Sequence, residues 1–210
     1  MKKEQHSQPK SFKIVIASKN VHKIRETREM LSAIPHLDIW SLLDFPGYSP
    51  PEERGKSFEE NASLKAIDAA KQLKIWAIGD DSGLVVPALN GEPGIFSSRY
   101  AGKNASDKEN RKKLLQEMSP LLDEDRSAYY ISAVALASPE GSLKKCAIAT
   151  CEGRILEIEK GGGGFGFDPL FVKNEYSKTF AELEERIKNH ISHRRKALDK
   201  IIPLLESILE

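Results

Sequence analysis

Apolar residues in the first half of the chain fall into short runs, and each run is followed by a stretch with helical period. Phe12-Lys-Ile-Val-Ile-Ala17 reads as a buried strand. After a polar loop, Val21, Ile24, Leu31 and Ile34 return at helical spacing. Leu37 to Leu42 predicts a second strand, and Pro46, Gly47, Pro50, Pro51 and Gly55 make residues 44–56 a loop. Ser57 and Glu60 predict a capping box, with Phe58, Ala62, Ala66, Ala69 and Leu73 as the buried stripe of the following helix. Asn61 and Lys65, four apart, share another face of it. Ile75-Trp-Ala-Ile78 predicts a third strand that ends at the turn Asp80-Asp-Ser-Gly83.

The second half changes character. Ser106 caps a charged helix reaching about Met118. Ala128 to Ala137, Leu143 to Thr150 and Arg154 to Glu159 then predict antiparallel strands joined at Pro139-Glu-Gly and at Glu152-Gly153. Leu198, Ile201, Leu205 and Ile208 mark a C-terminal helix, with Pro203 as a kink or restart. A βαβ half followed by a β-rich half predicts an α/β fold.

Composition narrows the functional classes. Among 210 residues, 40% are hydrophobic and 30% charged, a balance that supports one globular domain over 12–210. Residues 1–11 are polar and lysine-rich and read as a flexible extension. The net charge of +1 provides no electrostatic footprint for nucleic acid. No run is long enough to span a bilayer and no signal-peptide pattern is present. Cys146 and Cys151 lack a metal-binding spacing with any histidine, so a reducing, cytoplasmic setting is expected.

Four stretches carry candidate chemistry. Asp80 and Asp81 could hold a divalent cation, although Asp-Asp-Ser-Gly also reads as a polar turn. Glu52 and Glu53 form a second carboxylate pair. Ser18 to Lys23 joins a strand to a helix N-terminus, where free N–H groups favour anions; a lysine there opposes the dipole unless it has an anion to hold. Gly161 to Gly164, followed by Phe165, Gly166 and Phe167, places permissive backbone beside aromatic rings, a setting suited to a flat ring ligand. Finally, Ser192 can cap a helix whose first turn holds His193 and Arg194, with Lys188 just ahead. A solvated basic face is the plainer reading of that last stretch.

Together these segments resemble the inosine triphosphate pyrophosphatase family from Ile14 to about Leu198. The resemblance rests on Ser18-x-Asn20-x-x-Lys23; Phe58-x-Glu-Asn61-Ala-x-x-Lys65; Asp80-Asp-Ser-Gly-Leu84 with Pro93-Gly94 and Ser98-Arg-Tyr100; Gly164-Phe-Gly-Phe-Asp-Pro169; and Ser192-His-Arg194. Ser18 stands where the family usually has Thr, Lys19 where Gly is common, and Phe167 where Tyr is frequent; His22 is atypical and is expected to point outward.

The resemblance implies an elongated two-lobed α/β fold around a central twisted mixed sheet, with the cleft between the lobes, and a homodimer. It implies hydrolysis of ITP, dITP and XTP to the monophosphate and pyrophosphate. Asp81 would be the general base and, with Glu53, the Mg2+ ligand, Glu52 being the neighbouring alternative. Substrate would be bound by the segment Ser18, Lys19, Asn20, Val21, His22 and Lys23, by Lys65 and Ser82, by Phe165, Gly166, Phe167 and Asp168, and by Lys188, His193 and Arg194. Asp80 would support the site. The competing readings are a nucleotide sensor without turnover and a pyrophosphatase for other modified nucleotides.

Overall fold

A computed structural model describes residues 11–209; all but the last residue of the expected N-terminal extension lies outside them. The core is a six-stranded mixed sheet in the order β2-β1-β3-β4-β5-β6. Its strands are β1 (Phe12–Ile16), β2 (Leu37–Ser41), β3 (Trp76–Val85), β4 (Ser127–Ala137), β5 (Leu143–Ile155) and β6 (Phe171–Lys173). β1 pairs in parallel with β2 and β3, and the remaining pairs are antiparallel. Parallel neighbours need crossovers. These are supplied by α1 (Val21–Leu31) and α2 (Phe58–Leu73). The other helices are α3 (Asp107–Glu117), α4 (Glu185–Ile191), α5 (His193–Asp199) and α6 (Ile202–Leu209).

Strand alternation sorts the core into two faces. Ile14, Ile78, Val134 and Leu136 pack against Met30 and Leu31 of α1 and Leu198, Ile201 and Leu205 near the C-terminus. Val15, Ala77, Ala133 and Ala135 pack against Phe58, Ala62, Ala66 and Ala69 of α2. The alanine face lets α2 lie close to the sheet. At Gly79 the approach is so close that a Cβ would stand 2.1 Å from the Ala62 carbonyl oxygen. This closeness brings Asn61 and Lys65 over β3.

Three expectations require correction. β3 does not end at a turn after Ile78; it continues through Asp80 to Gly83 and pairs with β4 from Ala77↔Ala137 to Val85↔Tyr129. Its polar side chains are tolerated because partners meet them on both faces. β5 likewise runs straight through Glu152-Gly153, and Arg154 to Glu159 is not a separate strand. Gly153 serves close approach, since a Cβ there would lie 2.2 Å from the Val172 carbonyl oxygen of β6. In the Ser57 cap, Ser57 Oγ accepts from the Glu60 N–H, but the Glu60 carboxylate accepts from Lys56 N rather than closing the box on Ser57. The Ser106–Glu109 capping box is complete.

Candidate active site

Because β3 continues, Asp80 and Asp81 point to opposite faces of the sheet. Asp81 shares the face of Gly79 and meets α2. Its Oδ1 lies 2.9 Å from Lys65 Nζ, and its Oδ2 accepts from Asn61 Nδ2 at 3.2 Å. The same Lys65 nitrogen reaches Glu53 Oε1 at 2.9 Å, and Arg99 stands 3.4 Å from the other Glu53 oxygen. Burial lifts the Asp81 carboxyl above its ordinary range against the pull of Lys65. Burial also works against the Lys65 charge, but Asp81 and Glu53 together raise its pKa. Glu52 is outside this group: its side chain is 75% exposed and pairs with Arg54.

Asp80 faces α1 and α5. It accepts from Ser132 Oγ at 2.7 Å and pairs with Lys23 at 2.8 Å and Arg194 at 3.4 Å. Burial opposes its charge, yet Arg194 and Lys23 hold the carboxyl far below the usual range. This is the anion that the lysine in the first turn of α1 requires. Asn20 caps that helix, its Oδ1 accepting from His22 N and Lys23 N. Arg194 also donates to Ser82 Oγ at 2.9 Å and to Glu26.

The glycine-rich loop closes the third side. Gly164 has φ 67° and Gly166 φ 60°, values that L side chains rarely adopt. The Asp168 carboxylate folds back on this loop, with Oδ2 accepting from Phe165 N at 2.9 Å and from Lys188 Nζ at 2.5 Å. Lys188 also binds Glu26 Oε1 at 2.7 Å. Buried Glu26 therefore ties α1 to both α4 and α5. The Phe165 ring lies under the Lys188 ammonium and the Arg194 guanidinium, at 4.8 Å and 5.8 Å from its centroid. His193 is buried and stacks on Tyr130, with centroids 4.7 Å apart. Burial, reinforced by Arg194, pushes its pKa well down and keeps the imidazole neutral. His193 Nδ1 and Arg194 Nε are buried without a hydrogen-bond partner.

These groups line one cleft of about 350 Å³. Ser18, Lys19, Asn20 and Lys23 border it with Glu53, Lys65, Asp81 and Ser82; Phe165 to Asp168, Lys188, His193 and Arg194 complete it. Two expected residues do not line it. Val21 is 58% exposed on the outer side of α1, which also removes it from that helix's buried stripe. His22 is half-buried and does not simply point outward: it stacks on Phe165 at 5.0 Å and so reaches the cleft only through that ring. Sequence reasoning missed Glu26, Ser132, Tyr130 and Arg99. A signal existed for Glu26, which follows Lys23 by three residues and so shares its helix face. Ser132 and Tyr130 share a strand face by parity, but nothing local names their partners.

The Ham1 family model matches residues 14–204. The chain belongs to the Ham1 family. The dITP/XTP pyrophosphatase of Protochlamydia amoebophila is 55% identical over 94% of this chain and 99% of its own length. That of Chlamydia caviae is 54% identical over 95% of this chain and 97% of its own. Among solved structures, a HAM1 protein from Coxiella burnetii superposes with a TM-score of 0.83 at 40% identity, covering 93% of this chain and 99% of its own. The Staphylococcus aureus Ham1 protein gives 0.80 at 40% identity, with 93% and 98% covered. The mixed α/β sheet with flanking helices is thus that of Ham1 proteins. Among the described residues no group of three or more His, Cys, Asp or Glu side chains is arranged to hold a metal, and no helix is long and apolar enough to cross a membrane.

Proposed function

We propose that this Ham1-family chain hydrolyses deaminated purine nucleoside triphosphates, dITP, ITP and XTP, to the monophosphate and pyrophosphate. One observation carries the reading. A single cleft joins the Asp81–Lys65–Glu53 group to an aromatic end where neutral His193 has an unpartnered ring nitrogen. Phosphates fit the first end and a purine the second.

The residues fit Mg2+. That ion is usually bound by one or two carboxylates plus substrate phosphates rather than by an all-protein cage. Asp81 and Glu53, from different elements, converge on one cation position, now taken by Lys65 Nζ. They would hold the ion, which supplies charge neutralisation on the phosphates and a more acidic water.

The chain's own groups do the rest. Asp81, held by Lys65 and Asn61 at the wall of the cleft, would orient the water attacking the α-phosphorus and accept its proton. Lys23 and Lys65 offset the phosphate charge. Ser18 Oγ accepts from Asn20 N, leaving its own hydrogen to donate. Asn20 uses Oδ1 as the helix cap, which leaves its amide N–H groups for a phosphate. At the base end, Lys188 and Arg194 donate to a 6-oxo group, whereas the amino group of adenine would face donors. A buried mismatch of that kind is worth a discrimination on the order of 10⁴. Phe165 would offer its ring to the base. The reading extends to a cytoplasmic homodimer; the free thiols of Cys146 and Cys151 fit a reducing compartment.

The test is pyrophosphate release from dITP, ITP, XTP, GTP and ATP, with magnesium and with chelator. Magnesium-dependent release from the first three, and slow release from the last two, is expected. Binding without release from any nucleotide would overturn the reading in favour of a sensor.

A further inference from the structure

Tyr130 contacts both halves of the base-facing end, and no motif includes it. It lies on β4, paired with Leu84 and Cys151 in the neighbouring strands. Only 7% of it is exposed, at the wall of the cleft. Its hydroxyl donates to Asp168 Oδ1 at 3.1 Å. The other Asp168 oxygen holds Phe165 N and Lys188 Nζ, so the orientation of that carboxylate sets both the glycine loop and the lysine. The Tyr130 ring is nearly parallel to His193, at 9°, with centroids 4.7 Å apart. On its other contacts it stacks on Phe180 at 5.9 Å and meets the edge of Phe171 at 4.7 Å. These contacts pack the ring against His193, Phe180 and Phe171. Burial and Asp168 keep the phenol protonated, so it remains a donor.

Two residues along the same strand face, Ser132 makes the matching contact to Asp80. One strand of the sheet thus fixes two of the carboxylates that border the cleft.

We propose that Tyr130 is a positioning residue for base recognition, its hydroxyl orienting Asp168 and its ring setting the plane of His193. The proposal rests on the nucleotide reading of the cleft. It also requires that the phosphate end, built on β3 and α2, should not depend on the Tyr130 hydroxyl.

Tyr130→Phe keeps the ring and removes only the hydrogen bond. Hydrogen bonds to charged groups are worth enough to change affinity about tenfold or more. We expect the KM for dITP and XTP to rise by about tenfold, with kcat falling by no more than about twofold. Competitive inhibition by inorganic tripolyphosphate, which has no base, should keep its constant. In a double-mutant cycle, Tyr130→Phe should add little in the Asp168→Asn background, because the carboxylate that the hydroxyl orients is already gone. An unchanged KM for dITP would overturn the proposal. So would an equal weakening of dITP and tripolyphosphate, the mark of general structural damage. Failure of the parent enzyme to release pyrophosphate would sink the functional reading instead. In that event equilibrium binding of dITP and tripolyphosphate to the parent protein and Tyr130→Phe reads the same contrast and decides the positioning claim separately.

Discussion

Lys65 Nζ lies 2.9 Å from Asp81 Oδ1, across the narrow gap between α2 and β3. The buried ammonium and Asn61, one on each oxygen, fix the orientation of the carboxylate that we propose as the water-activating base. Asp81→Asn preserves the volume and an acceptor for Lys65 but removes the basic oxygen. Pyrophosphate release from dITP should fall by at least about 100-fold, the scale seen when one group acting on the transition state is lost. Circular dichroism should show an intact fold. Near-normal turnover by the folded variant would remove Asp81 from the chemistry.

Glu26 predicts how stability depends on pH. Burial opposes its charge, but Arg194 and Lys188 outweigh that and hold its pKa below the ordinary 4.5. A carboxyl whose folded pKa is depressed stabilises the protein above its unfolded pKa. That contribution disappears as pH falls below about 4.5 towards the folded value. Glu26→Gln leaves two buried cations short of an anion and should cost about 3 kcal/mol at pH 7. Thermal melts should show this gap between parent and variant, and it should shrink as pH falls below 4.5. A gap that is constant with pH would mean Glu26 is not the titrating group.

The glycine loop offers a paired test. A Cβ at Gly164 would stand 2.1 Å from Asp168 Oδ2, at a φ of 67°. Gly162 has nothing within 4 Å. Gly164→Ala should displace the Asp168 carboxylate and raise the KM for dITP by about tenfold, comparable to losing a charged hydrogen bond. Gly162→Ala should leave it close to the parent value. Equal effects would show that loop mobility matters more than the Asp168 contact.

Arg194→Ala tests base reading. The guanidinium is committed to Glu26, Asp80 and Ser82, with Nε unpartnered. Its loss should narrow the ratio of ITP to ATP turnover and lower the melting temperature. If the ratio is unchanged in a variant that still folds, base recognition lies elsewhere.

Much of the fold was legible. β1, α1 and α2 follow from apolar period and capping residues, and the paired motifs from Ser18 to Arg194 are brought into one cleft. The errors on the strands share a cause. Asp80-Asp-Ser-Gly83 looks like a turn because polar residues inside a strand need partners, and those partners are distant in sequence: Lys65, Ser132 and Arg194. Gly153 looks like a turn because sequence cannot tell a glycine that bends the chain from one that admits β6. Tyr130 was missed for the same reason: strand parity gives its face, while Asp168 and His193 reach it only through tertiary structure.

The pleat of β3 has a consequence for how this protein can change. Asp80 and Asp81 are chemically identical neighbours, yet one is held deeply ionised and the other is made more basic. Only the parity of the strand distinguishes them. A slip of one residue against β4 would turn each acid to the opposite face of the sheet, so that at most one of them could take up the other's partners. The tight fit of Gly79 beneath α2 locks that parity, so a position with no functional group guards the identity of the two acids.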